Sequence, residues 1–162
     1  MMQINRLSVR VWQDPVYFIA FGFGSGLLPI APGTWGTIAA FPLYFLLSTY
    51  SLPIYLFVTA LFFLLGVYVS GKVVNDLGIH DYSGIVWDEV VGYLLTMAGA
   101  PLGFFWMIMG FLLFRLFDIW KPFPISLIDK HVHGGLGVML DDLLAAVPAC
   151  LLLRSLAWTF GL

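Results

Sequence analysis

Apolar residues fill this chain in long runs, and the runs are separated by Pro and Gly rather than by charge. From Pro15 through Gly71 there is no Asp, Glu, Lys or Arg. Five apolar stretches can be drawn, at about 16–31, 36–50, 53–71, 90–117 and 143–161. Only 53–71 and 143–161 approach the ~20 residues that carry a helix across a bilayer. The 36–50 run is short. The first stretch is broken by Gly22, Gly24, Gly26, Pro29 and Pro32, which predicts a bent helix or a partly inserted loop covered by protein.

The 90–117 stretch is too long for one span, and Gly99-Ala100-Pro101-Leu102-Gly103 interrupts it. A helix ends before Pro101, so the pattern predicts two antiparallel pieces, roughly 85–99 and 102–120. Such a hairpin brings Asp88 and Glu89 back beside Arg115 and Asp118, whereas a single kinked span would put them on opposite faces. After this hairpin, Gly134, Gly135 and Gly137 predict a flexible or tightly turned backbone. A helix starting near Val138 would then carry Asp141 and Asp142 in its first turn, where the dipole favours carboxylates. The expected architecture is an all-α, polytopic membrane bundle, one domain over 1–162, with a helical hairpin around 85–120 and short or broken helices near the N-terminus.

Composition agrees: 61% of the 162 residues are hydrophobic and 10% charged, with a mean hydropathy of +0.98, against about 25% charged in soluble domains. No basic, apolar and cleavage-site succession marks a signal peptide, so the apolar segments are expected to stay as spans. Arg6 and Arg10 precede the first run and favour a cytoplasmic N-terminal side. A net charge of −2 without a basic stripe argues against nucleic acid as a partner. The lone Cys150 cannot form an internal disulfide and reads as an apolar side chain.

Against this background the 28 residues RLFDIWKPFPISLIDKHVHGGLGVMLDD, 115–142, stand out for their charge. Arg115, Asp118 and Lys121 are spaced i, i+3, i+6 and would share a helical face. An ionisable group at the centre of a span costs roughly 2.5–3.5 kcal/mol on insertion scales. Five carboxylates in three clusters, Asp88-Glu89, Asp118 and Asp141-Asp142, exceed what Arg115 and Lys121 neutralise. A divalent cation remedies the imbalance, and an oxygen-only donor set suits Mg²⁺. The competing reading makes these acids interfacial or paired structurally with Arg115, Lys121 and Lys130. His131, His133 and the His80-Asp81 pair read as ordinary loop residues on the same grounds. In Pro29–Thr37, Thr34 or Thr37 is expected to cap a helix, with anion binding as the functional alternative. The glycines at 22, 24 and 26 lack a βαβ context and suggest close helix packing.

Four segments in order, GSGLLPIAPGTWGT, GIVWDEVVGY, FRLFDIWKPFPI and HGGLGVMLDDLLAA, closely resemble the phosphatidylglycerophosphatase A family of bacterial inner-membrane lipid phosphatases, over about 15–147. The resemblance implies an all-helical fold with a central helix ringed by others. It implies Mg²⁺-dependent hydrolysis of phosphatidylglycerophosphate to phosphatidylglycerol and inorganic phosphate, with the site facing the cytoplasm. The family's acidic positions fall on Asp88, Glu89, Asp118, Asp141 and Asp142 as metal ligands, with Glu89, Asp118 and Asp142 also catalytic. Its phosphate-binding role falls on Arg115 and Lys121, joined by His133 and Thr34. Carboxylate-held Mg²⁺ would polarise the phosphoryl oxygens and activate water; a covalent aspartyl-phosphate is the less favoured route, because no DxDx(T/V) run is present. An apolar groove would hold the acyl chains of the lipid substrate, and the oligomeric state stays open.

Rival readings lack their signatures. The pattern D-x₂-D-G-x₂-A-R of CDP-alcohol phosphotransferases is absent, as is the K-x₆-R-P series of phosphohistidine lipid phosphatases. A membrane cation transporter or channel with an acidic pathway is the non-enzyme alternative; it calls for polar pairs inside the long spans, and 53–71 offers only Tyr, Thr and Ser.

Overall fold

In the computed structural model the described residues are 2–79, 82–123, 125 and 132–161, with only the backbone for 2–6. His80, Asp81, Asp129, Lys130 and His131 therefore lie outside the described residues. The described residues form seven α-helices and no strand: α1 Met2–Gln13, α2 Pro15–Ala20, α3 Pro32–Leu47, α4 Leu52–Leu77, α5 Trp87–Thr96, α6 Phe104–Trp120 and α7 Gly134–Thr159. A short 3-10 turn, Ser25–Leu27, precedes α3.

Helices α3 to α7 alternate in direction. The start of α3 meets the start of α5 and the end of α6, because a side chain on Gly33 would strike Glu89 and approach Arg115. The later part of α4 meets the start of α7, where Gly71 lies against Gly135. At the opposite end Tyr55 Oη, early in α4, donates to Leu94 O, late in α5, at 2.6 Å. Thus α3, α5 and α7 run one way, and α4 and α6 return. The central helix is α5, with Trp87, Val90, Val91, Tyr93 and Leu94 all buried among α3, α4, α6 and α7.

Two described helices, α4 and α7, are long and apolar enough to cross a membrane. Of their apolar windows, 22% in α4 and 44% in α7 is buried in the protein. Phe57, Leu61 and Leu64 on α4 and Leu112, Leu116 and Ile119 on α6 turn large apolar surfaces outward. Rows of exposed apolar side chains of this kind mark a surface that meets a membrane or a protein partner.

The hairpin forms as the Pro101 break predicts, with Met97–Gly103 turning the chain between α5 and α6. Two expectations need correction. Helix α7 begins at Gly134 rather than near Val138, so Asp141 and Asp142 occupy its second and third turns and lie beyond the reach of its N-terminal dipole. Gly135 and Gly137 lie inside this helix at close backbone contacts: an added Cβ would stand 2.1 Å from Val67 O at Gly135 and 2.2 Å from Val132 O at Gly137. Helix α3 likewise starts at Pro32, and neither Thr34 nor Thr37 caps it. The N-cap is Ala31, in a left-handed conformation, and Thr37 Oγ1 instead donates to Gly33 O at 2.9 Å. Proline at N1 has the φ that a first turn requires and lacks a donor to leave unsatisfied.

Near the N-terminus, α2 gives way to turns in which Gly22 and Gly24 take positive φ, while Gly26 packs directly on Gly84 O. Close packing explains the third glycine and backbone conformation the first two. Helix α1 is tied to the end of α4 by Arg10 and Asp76, 2.5 Å apart, with the guanidinium 4.1 Å over the Tyr17 ring.

Candidate active site

The charged side chains converge where the first turns of α3 and α5, the end of α6 and the early turns of α7 meet. Asp88 and Glu89 come from the first turn of α5. Arg115 and Asp118 come from the last turns of α6. Asp141 and Asp142 come from α7. Gly92 lets α5 approach α7 closely, since a Cβ there would lie 3.2 Å from Asp142 O, and this brings the two acidic pairs together.

Two groupings result. Asp88, Asp141 and Asp142 each offer an oxygen within 4.8 Å of the others. Adjacent residues on a helix point about 100° apart, yet both acids of the α7 pair reach this cluster, with Asp141 8% and Asp142 3% exposed. Glu89 and Asp118 instead flank Arg115, whose Nη1 lies 2.6 Å from Asp118 Oδ2 and 3.7 Å from Glu89 Oε1. Lys121 Nζ lies 2.6 Å from Asp141 Oδ2, on the side of the three-carboxylate cluster. Lys121 does not extend the α6 face as its spacing suggests. It is the left-handed C-cap, φ 42°, and the reversal turns its side chain toward α7.

Asp88 Oδ1, Glu89 Oε2 and Asp142 Oδ2 are buried without a hydrogen-bond partner among the described residues. Burying carboxylate oxygens without donors is unfavourable. Burial therefore raises the carboxyl of Asp88, at the start of the ten-residue α5, well above the usual range, and the Glu89, Asp141 and Asp118 charges add to it. Glu89 is raised mainly by burial as well. A hard cation seated among Asp88, Asp141 and Asp142 would satisfy the orphaned oxygens of Asp88 and Asp142, so the donor set fits Mg²⁺.

The buried Arg115 Nε also lacks a hydrogen-bond acceptor among the described residues. A guanidinium with a spare donor beside partly exposed carboxylates is suited to receive a phosphoryl oxygen. Thr34 is half-buried one residue beyond Gly33, in the turn that touches Glu89. His133 is exposed at the N-cap of α7, eight residues before Asp141, or about 12 Å along the axis. The structure thus brings six of the predicted acidic and basic side chains and Lys121 together, with His133 at the N-cap of the helix that carries Asp141 and Asp142.

Sequence reasoning did not single out Gly33. Its Cα faces Glu89 so closely that a Cβ would stand 2.0 Å from Oε1. The Pro32-Gly33 step at a helix start was the signal available, though it marks a turn as readily as a site.

Residues 18–157 match the family described as Phosphatidylglycerophosphatase A. The Phosphatidylglycerophosphatase A of Haemophilus influenzae is 46% identical over 160 residues, covering 98% of this chain and 98% of its own. That of Escherichia coli K12 is 40% identical over 152 residues, 92% of this chain and 88% of its own. A putative phosphatidylinositol-3-phosphatase of Bacteroides thetaiotaomicron is 38% identical over 154 residues, 88% and 94% respectively. No solved structure matches the chain. With the match running through all three helices that carry the charged cluster, the chain belongs to the phosphatidylglycerophosphatase A family.

Proposed function

We propose that the protein hydrolyses the terminal phosphate monoester of phosphatidylglycerophosphate, releasing phosphatidylglycerol and inorganic phosphate for glycerophospholipid synthesis, at the cytoplasmic face of the bacterial inner membrane. The observation that carries this reading is the meeting of Asp88, Asp141 and Asp142 within 4.8 Å, beside a cationic Arg115 and Lys121. The enzyme class follows the named relatives; the lipid is chosen from two of them, while a third bears the name of a phosphoinositide phosphatase.

In this reading Asp88, Asp141 and Asp142 hold Mg²⁺, which when bound supplies Lewis-acid polarisation of the phosphoryl oxygens and lowers the pKa of water. The chain's own groups do the rest. Arg115 and Lys121 loosen from their carboxylate partners to receive the phosphoryl oxygens, and their positive charge grows in value as the transition state gains negative charge. Asp118, held by Arg115 at 2.6 Å, and Glu89 are the acid–base candidates nearest that phosphate position and outside the three-carboxylate cluster. Thr34 and the α3 first turn border the same space, and the outward apolar faces of α4 and α6 meet the acyl phase.

Purified full-length protein in detergent should release phosphate from phosphatidylglycerophosphate with Mg²⁺ and lose that activity in excess chelator, with recovery on Mg²⁺ addition. Equal rates with and without chelator would remove the metal from the reading. Faster turnover of phosphatidylinositol 3-phosphate would reassign the substrate.

A further inference from the structure

Arg154 is the only charged residue in the chain from Leu143 to its end, and it points away from the acidic cluster's level of the bundle. It lies 13 residues beyond Asp141 on the continuous α7, about 20 Å along the axis. There it faces the turn between α5 and α6, where its Nη1 would lie 3.4 Å from a Cβ on Gly99. With Gly99, Ala100, Pro101, Ala157 and Trp158 it lines a cleft of about 510 Å³. The corresponding ends of α3 and α4, across Leu47–Leu52, carry no charge.

A structural role for Arg154 would be to cap the exposed carbonyls at the end of α5. The hydrogen bonds say otherwise. The turn is closed by its own backbone, from Met97 N to Tyr93 O, Ala98 N to Leu95 O and Ala100 N to Met97 O, and Arg154 forms no hydrogen bond or ion pair with a described residue. Arg154 is exposed and has no partner among the described residues; near a helix end such a side chain reaches the interface, and its fork of donors matches a phosphate. Trp158, one turn on along the same face and 80% exposed, has the indole character that settles at a headgroup boundary. Gly99 takes φ +69°, and the absence of a side chain there leaves the guanidinium its space. Ala100, Pro101 and Ala157 supply an apolar floor.

We propose that this cleft is a second lipid site, in which Arg154 holds the phosphate of an anionic phospholipid in the leaflet opposite the catalytic carboxylates. The proposal rests on the membrane embedding given above and not on the phosphatase chemistry. The occupant is a lipid rather than free phosphate because the cation is backed by apolar residues and an interfacial tryptophan.

Native mass spectrometry of the full chain in neutral detergent, titrated with phosphatidylglycerol, phosphatidylcholine or inorganic phosphate, tests it. Wild type should retain one more phosphatidylglycerol than Arg154→Gln, with the lost site weakened about tenfold, as expected for a charge-assisted hydrogen bond. Arg154→Lys should keep most of that binding, which separates charge from packing should the glutamine variant be poorly folded. Phosphatidylcholine should show no such difference, and phosphate release from phosphatidylglycerophosphate should be equal in all three proteins. Equal phosphatidylglycerol retention by wild type and Arg154→Gln, equal loss of phosphatidylcholine, or an Arg154-dependent adduct of inorganic phosphate instead of lipid would overturn the proposal. Failure of phosphatidylglycerophosphate hydrolysis in wild type would strike the catalytic reading and leave this one standing.

Discussion

Asp118 and Asp142 are both acids at the same site, yet their neighbours separate them. Asp142 has an orphaned oxygen in the three-carboxylate cluster, whereas Asp118 is engaged by Arg115. Asparagine has nearly the same shape as aspartate and lacks its charge, so the two substitutions should fail differently. Asp142→Asn should raise the Mg²⁺ concentration needed for half-maximal activity by at least about tenfold, as expected when a ligand is lost. Asp118→Asn should lower kcat by about 100-fold or more, the range of a lost acid–base group, at an unchanged Mg²⁺ requirement. Steady-state phosphate release over a Mg²⁺ titration distinguishes them, and identical Mg²⁺ curves for both variants would dissolve the division of labour. The acids themselves were legible in the sequence as costly groups among apolar runs. Their sorting into a three-oxygen cluster and an arginine-bound pair was not, because it depends on rotation about three different helices.

Helix contacts depend as much on what is missing from a side chain as on what is present. Gly135 of α7 lies against the backbone of α4, with Val67 O 2.1 Å and Gly71 N 2.5 Å from a built Cβ. Gly110 of α6 is also tight, but its nearest atom is the Met97 sulfur, at 2.3 Å. A backbone carbonyl cannot swing aside, whereas a methionine tip can. Gly135→Ala should therefore destabilise the protein by about 1–3 kcal/mol, the usual cost of overpacking, while Gly110→Ala should cost clearly less. Thermal unfolding in detergent measures both, and a smaller loss for Gly135→Ala would contradict the α4–α7 contact. The same contact gives Gly135, which read as part of a loop, a use inside a helix. Composition there suggested a turn, but small residues also let two backbones touch, and only the partner helix decides between these uses. The α5–α6 hairpin was different, since Pro101 breaks a helix whatever surrounds it.

Over the whole molecule, the alternation of α3 to α7 collects the acidic and basic side chains at one end of the bundle and leaves Arg154 toward the other. In a membrane this arrangement puts the turn between α3 and α4 on the face opposite the end of α4. With Cys150→Ala as background, cysteines at Thr49 and Asn75, both exposed, should be labelled from opposite sides in oriented vesicles. Asn75 should react from the cytoplasmic side, as the basic residues around it favour. Labelling of both positions from one side would break the up-and-down arrangement and with it the shared depth of Asp88, Asp118 and Asp142.

By itself the amino-acid order determined the helical class, the break at Pro101 and the list of side chains whose burial demands a chemical reason. These depend on local terms: the fixed φ of proline, the length of an apolar run and the cost of charge in an apolar medium. The tertiary fold alone decided which oxygens converge, that Lys121 reaches Asp141 by leaving the helix, and that Gly33 brings the α3 start against Glu89. Those outcomes depend on how far backbones separated by tens of residues can approach, a distance set by the side chains of both partners and encoded in neither segment alone.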